Sequence, residues 1–234
     1  MKAVFKREIK AYFISPLGFV FIAAVAFFSG YYFFSYNIYQ ASTNMNALFQ
    51  QMFSVVMFLI PILTMRLMSE ERRQRTDQIL LSAPIRRSGI VLGKYFAALA
   101  IYSTAISSTL VATAIMSFFA RPDWPVVQGN FLGLLLMGST VIAICLLLSS
   151  VTESQVIAAV LGFVTCMFLV LTDSLALVIK TEMLRIILRY ISFNSRYLPF
   201  TLGVIELPNV VFFTSITVFI IYITILLLEK RTGN

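Results

Sequence analysis

Histidine is absent from the 234 residues, which removes histidine-based acid–base catalysis and histidine metal ligation together. Charge is scarce as well: 12% of residues are charged and 59% hydrophobic, whereas soluble domains carry roughly 25% charge. So few charges cannot clothe a water-facing surface, and no polar stretch is long enough to fold separately. The two cysteines, Cys145 and Cys166, both sit inside apolar runs, which argues against a disulfide framework and for small-hydrophobe packing.

A phosphate-binding loop is missing too. Gly89-Ile90-Val91-Leu92-Gly93-Lys94-Tyr95 has one residue too few between its glycines, and tyrosine where a magnesium-binding hydroxyl is needed. The chain therefore has no recognisable nucleotide site of its own. Nor is there a grouping of nucleophile, acid and base that would suit a membrane-embedded enzyme.

What is present is a series of apolar runs long enough to cross a hydrocarbon core about 30 Å thick. Six occur, at 17–36, 48–68, 95–119, 130–150, 155–179 and 208–228. The expectation is an all-α integral membrane protein, residues 1–234 forming one transmembrane domain. Lysine and arginine set its orientation, because they stay cytoplasmic near span ends. The side bearing both termini holds thirteen: Lys2, Lys6, Arg7, Lys10, Arg66, Arg72, Arg73, Arg75, Arg86, Arg87, Lys94, Lys230 and Arg231. The other holds five: Arg121, Lys180, Arg185, Arg189 and Arg196. Cytoplasmic termini follow, and topology accounts for most of the net charge of +8 without nucleic acid as a partner. Lys2 to Lys10 and Ala24-Val25-Ala26 also fit a signal peptide and its cleavage site; the expectation is a retained first span.

Three segments outside the spans carry pattern. Residues 1–15 place Phe5, Ile9, Tyr12 and Phe13 on one helical face with Lys6, Arg7 and Lys10 beside them, as in a helix lying on the inner membrane surface. Ser15-Pro16 ends it. A passive anchor and an ATPase-contacting helix both fit. Residues 69–94 form a cytoplasmic loop that opens with Glu70, Glu71, Arg72 and Arg73 and runs into an apolar patch, Ile79-Leu80-Leu81, stopped by Pro84. Such a patch beside water needs a cover, although a solvated basic loop requires no function. Residues 180–206 repeat Met183, Leu184, Ile187, Leu188 and Ile191 at helical spacing, giving an outer amphipathic segment that either packs or forms a lid over an exit path.

Within the spans, Asp173 is the acid set deepest in an apolar run, and an intramembrane ionisable group invites a functional reading. If the fifth span ends a turn early, Asp173 is merely interfacial. Ser103, Thr104, Ser107, Ser108, Thr109 and Thr113 make the third span rich in hydroxyls. Hydrogen bonding between helices explains them, and a polar transport wall lined by Ser103 and Ser107 is the alternative. Gly129 and Gly133 form a G-x-x-x-G better suited to packing inside the subunit than to a dimer seam.

Four stretches together resemble the ABC-2 family of transport permeases, and within it the gliding-motility-associated branch of short six-span proteins. They are Phe5-Lys6-Arg7-Glu8 through Tyr12 to Gly18; Glu70 to Thr76 with Leu80 to Pro84 and Val91 to Tyr95; Gly203 to Leu207 before Phe212-Phe213; and Leu228-Glu229-Lys230-Arg231. The sequence departs from the family at Arg75, where glycine is frequent, and at Gln78, where glutamate is. The resemblance implies an N-terminal interfacial helix (Phe5, Arg7, Tyr12) and a cytoplasmic coupling helix touching the ATPase through Glu70, Glu71, Arg72, Thr76, Leu80 and Leu81. It further implies a homodimer or a heterodimer with a similar permease, two cytoplasmic ABC ATPase subunits that bind ATP and Mg, a bacterial cytoplasmic membrane, and export as the direction. An auxiliary membrane subunit and the substrate are left open. The rival readings are a structural or scaffold subunit, which needs no motif, and a secondary transporter, which needs midplane ion sites and related halves that the sequence does not display.

Overall fold

The computed structural model describes residues 1–73, 87–178 and 181–232. Among them every regular element is helical, and six helices are long and apolar enough to cross a membrane. The chain runs α1 (Lys2–Ile14), α2 (Pro16–Tyr32, continued by a π-helical turn, Phe33–Ile38), α3 (Asn46–Thr64), α4 (Ser69–Arg73), α5 (Arg87–Ser117), α6 (Trp124–Val151), α7 (Gln155–Val178), α8 (Glu182–Ile191), α9 (Phe193–Thr201) and α10 (Leu207–Thr232). The spanning set is α2, α3, α5, α6, α7 and α10. As the spans alternate in direction, one end of the bundle carries α1, α4 and the start of α5, and the opposite end carries α8 and α9.

Lipid supplies no hydrogen-bond partners, so helices that satisfy their own backbone are what an apolar chain can form there. The core sits on α3 and α6, in each of which 61% of the most apolar window is buried; for α10 the figure is 17%. Tyr102, fully buried on α5, lies across α6 and donates its hydroxyl to Leu134 O at 2.6 Å. It fits because residue 138 is glycine, where a Cβ would stand 2.2 Å from the ring.

The ends of the helices show how local chemistry sets the boundaries. Ser15 is extended (φ −85°, ψ 150°) ahead of Pro16, and its N–H still reaches Ala11 O at 3.1 Å; proline forbids the helical conformation at the residue before it. The third spanning helix already includes Arg87, ahead of the apolar run that starts at 95, so Lys94 lies inside a helix. The segment after α7 is broken at Ser192, whose side chain accepts Ser195 N–H at 3.1 Å and caps α9.

Gly129 and Gly133 open α6 to α9 within the same chain. A Cβ at Gly129 would meet Phe200 O at 2.7 Å, and one at Gly133 would meet the Tyr197 ring at 2.8 Å. Beside them Asn130, fully buried, donates to Val126 O (2.8 Å) and to Asn46 Oδ1 (3.2 Å) and accepts from the Tyr197 hydroxyl (3.1 Å). This fastens α3, α6 and α9 at the α8–α9 end.

Candidate functional site

α1 turns Val4 and Tyr12 inward, with Glu8 between them on the same face. Phe5, Ile9, Tyr12 and Phe13 form a neighbouring face that shares Tyr12 with this one; Phe5 and Ile9 are half-buried and Phe13 is 42% exposed, so the inward face is turned towards Glu8. The physical reason is Lys94. Gly93, the residue before it, lets α1 sit directly on α5: a Cβ there would lie 3.0 Å from the Val4 side chain. With the helices that close, Lys94 is 1% exposed and its ammonium reaches Glu8 at 3.1 Å, Glu71 at 3.0 Å and Leu67 O at 2.6 Å. A buried ammonium without such partners would cost several kcal/mol.

Arg7 closes the arrangement from the outer side, bonding Glu8 at 2.7 Å and also Glu71. Two cations thus meet two carboxylates, drawn from α1, α4 and α5. Arg66 and Glu70 form a neighbouring pair at 2.7 Å. Around these residues, with Ala11, Tyr12 and Leu67, lies a cavity of about 310 Å³.

The end of α3 is built into the same cluster. A helix terminus leaves carbonyls without intrahelical donors; Leu63 O takes the Tyr12 hydroxyl at 2.8 Å, and Leu67 O, in the turn that follows, takes Lys94. Burial raises the Tyr12 phenol far above its ordinary range, and the nearby Glu8 charge adds to this, so Tyr12 is a neutral donor. Ser149 of α6 accepts the N–H groups of Met68 and Ser69, each at 3.2 Å, and donates to Met65 O at 3.1 Å. Arg72 donates to Ser150 O at 3.0 Å and pairs with Glu153 at 3.3 Å. α4 is therefore held by α1 and α5 on one side and by the end of α6 on the other.

The sequence-predicted residues divide as follows. Arg7, Tyr12, Glu71 and Arg72 fall in one connected assembly and Glu70 beside it. Thr76, Leu80 and Leu81 lie outside the described residues. Phe5 and Ser103 lie elsewhere, both lining an apolar groove of about 430 Å³ that also includes Phe96 and Leu99. Ser103 and Ser107 donate to carbonyls of their own helix, Leu99 O (2.7 Å) and Ser103 O (2.8 Å). Asp173, near the end of α7, accepts from Asn194 Nδ2 at 2.8 Å and Ser195 Oγ at 2.9 Å, tying α7 to α9 at the end opposite Lys94.

Glu8 and Lys94 were missed as a pair. The available signal was Lys94 itself, the sole charge between Arg87 and Arg121, since a lone ion in an apolar helix must find a counterion. Among the described residues there is no group of three or more side chains that could hold a metal ion. The cluster can bind helices to one another and transmit displacement.

Six apolar membrane-length helices define a multi-pass membrane protein. Residues 8–228 match the model of the family described as ABC-2 family transporter protein, so the chain belongs to that family of ABC-transporter membrane components. The match takes in Glu8, Glu71 and Lys94. No curated protein matches the chain.

Proposed function

We propose that the chain is the permease subunit of an ATP-driven exporter in a bacterial cytoplasmic membrane, with both termini and the Lys94 cluster on the cytoplasmic side. ATP and Mg bind a separate polypeptide, two copies of which serve a pair of permeases, either identical or similar. The likeness to the gliding-motility-associated branch and the basic asymmetry of thirteen against five support this reading.

One observation carries it: Glu71 sits on α4, which leads directly into segment 74–86, and binds a buried cation shared with α1. On this reading a displacement that reaches α4 moves Glu71, and Glu71 cannot move without disturbing Lys94. At an effective dielectric of about 20, drawing the pair from 3.0 Å to about 5 Å costs roughly 2 kcal/mol. That is comparable with a typical coupling free energy between sites, about 1–3 kcal/mol. Arg7 and Glu8 carry the displacement to α1, and Lys94 carries it into the full length of α5.

The test is purification of the tagged full-length chain from its own membrane, followed by reconstitution in lipid discs. An ATPase should copurify, and its turnover should be higher in the complex than alone. Glu71→Gln should insert normally and reduce that stimulation several-fold. An ATPase that copurifies but turns over equally with and without the chain would favour the scaffold reading.

A further inference from the structure

At the end opposite Lys94, the cap at Ser192 turns the chain so that Arg196, in the first turns of α9, enters a space between α8 and α10. Its guanidinium lies 5.3 Å from the Tyr190 ring centre and 5.0 Å from that of Phe212. Both rings attract the cation and hold its plane. Nη1 donates to Asn209 Oδ1 at 3.2 Å, and Asn209, 3% exposed, donates in turn to Glu206 Oε2 at 2.9 Å. Among the described residues no carboxylate lies within ion-pair distance of Arg196. A guanidinium has five N–H donors, so this one is aimed and fixed with most of its donors unused.

The space beside it is an open pocket of about 320 Å³ formed by Tyr190, Ser195, Arg196, Pro199, Glu206 and Asn209. The chain on either side of Glu206 is apolar and exposed: Leu202, Ile205, Leu207 and Val211 are 65%, 56%, 76% and 57% exposed. Side chains of that kind belong against hydrocarbon, which places the pocket where a lipid headgroup meets the acyl region. A guanidinium there calls for a phosphate, which it can grip through paired N–H bonds. Glu206 narrows the choice. Its exposed carboxylate stands one amide away from the guanidinium, so a purely anionic headgroup is repelled, whereas one carrying an ammonium beyond its phosphate meets both charges.

We propose that this pocket binds the headgroup of a zwitterionic, primary-amine phospholipid of the membrane leaflet at that end, phosphate on Arg196 and ammonium on Glu206. The site does not depend on the permease reading. Native mass spectrometry of the full-length protein in detergent, offered an equimolar mixture of phosphatidylethanolamine and phosphatidylglycerol, tests it. The wild type should retain phosphatidylethanolamine preferentially. Arg196→Gln should weaken that retention about tenfold, equivalent to about 1.4 kcal/mol, and Arg196→Lys should not restore it, because an ammonium lacks the flat fork that the two rings hold. Glu206→Gln, which keeps an amide oxygen to accept from Asn209, should reverse the preference towards phosphatidylglycerol. Undiminished phosphatidylethanolamine on Arg196→Gln, or unchanged selectivity on Glu206→Gln, overturns the proposal. Equal competition by soluble glycerophosphoethanolamine overturns the bilayer lipid as the ligand.

Discussion

Replacing Lys94 by methionine keeps an unbranched stem and deletes the charge that Glu8 and Glu71 share. Removing one partner from a buried ion pair costs about 3–5 kcal/mol, because the other is left in a poor solvent. Here the carboxylates are 12% and 18% exposed and Arg7 still touches both, so the low end, about 3 kcal/mol, is the expectation. For a chain of this size each kcal/mol moves the melting temperature by roughly 2–4 °C, which gives a drop of roughly 6–12 °C. Cys145 and Cys166, 3% and 1% exposed and unpaired, provide the assay: a thiol-reactive dye in detergent reports when unfolding uncovers them. The discriminating step is a triple variant, Lys94→Met with Glu8→Gln and Glu71→Gln. If stranded carboxylates cause the loss, neutralising them should recover at least half of it, since an apolar or neutral replacement of a whole buried pair is often neutral in stability. A triple variant as unstable as the single one would show that Lys94 acts through packing, and a single variant within about 1 kcal/mol of wild type would refute the electrostatic argument altogether.

Gly138→Ala places a methyl where the Tyr102 ring already stands, 2.2 Å away, and should lower stability by about 1–3 kcal/mol in the same thermal assay. Gly30→Ala, with nothing within 4 Å of the added carbon, is the matched control and should leave the melting temperature unchanged or slightly raised. Single cysteines introduced into a background lacking Cys145 and Cys166 should react from outside intact cells at positions 44 and 123, and only after permeabilisation at 74 and 232; outside labelling of 74 would reverse the orientation.

The spans were legible because hydrocarbon imposes a length, and the break at Ser15-Pro16 because proline acts on its neighbour. Both are local effects. The inward face of α1 was not legible, because Glu8 turns inward to meet a lysine 86 residues away, and an apolar count along one helix gives no weight to a distant charge. Lys94 announced the need for a counterion without naming it, as Glu70 and Glu71 are adjacent in sequence and only the register of α4 decides which of them reaches it. The G-x-x-x-G at 129–133 likewise signalled a close approach, but the partner is the short helix α9 rather than another span. α10 shows the deepest limit. It is as apolar as α6 yet buried to 17% against 61% over the most apolar window, because a leucine is equally well placed against lipid and against protein. Hydropathy therefore locates the membrane but cannot rank helices by their distance from the core. That ranking comes from residues that lipid would not tolerate, Asn130, Lys94 and Asp173 among them, and each of these sits at a junction of two or more helices.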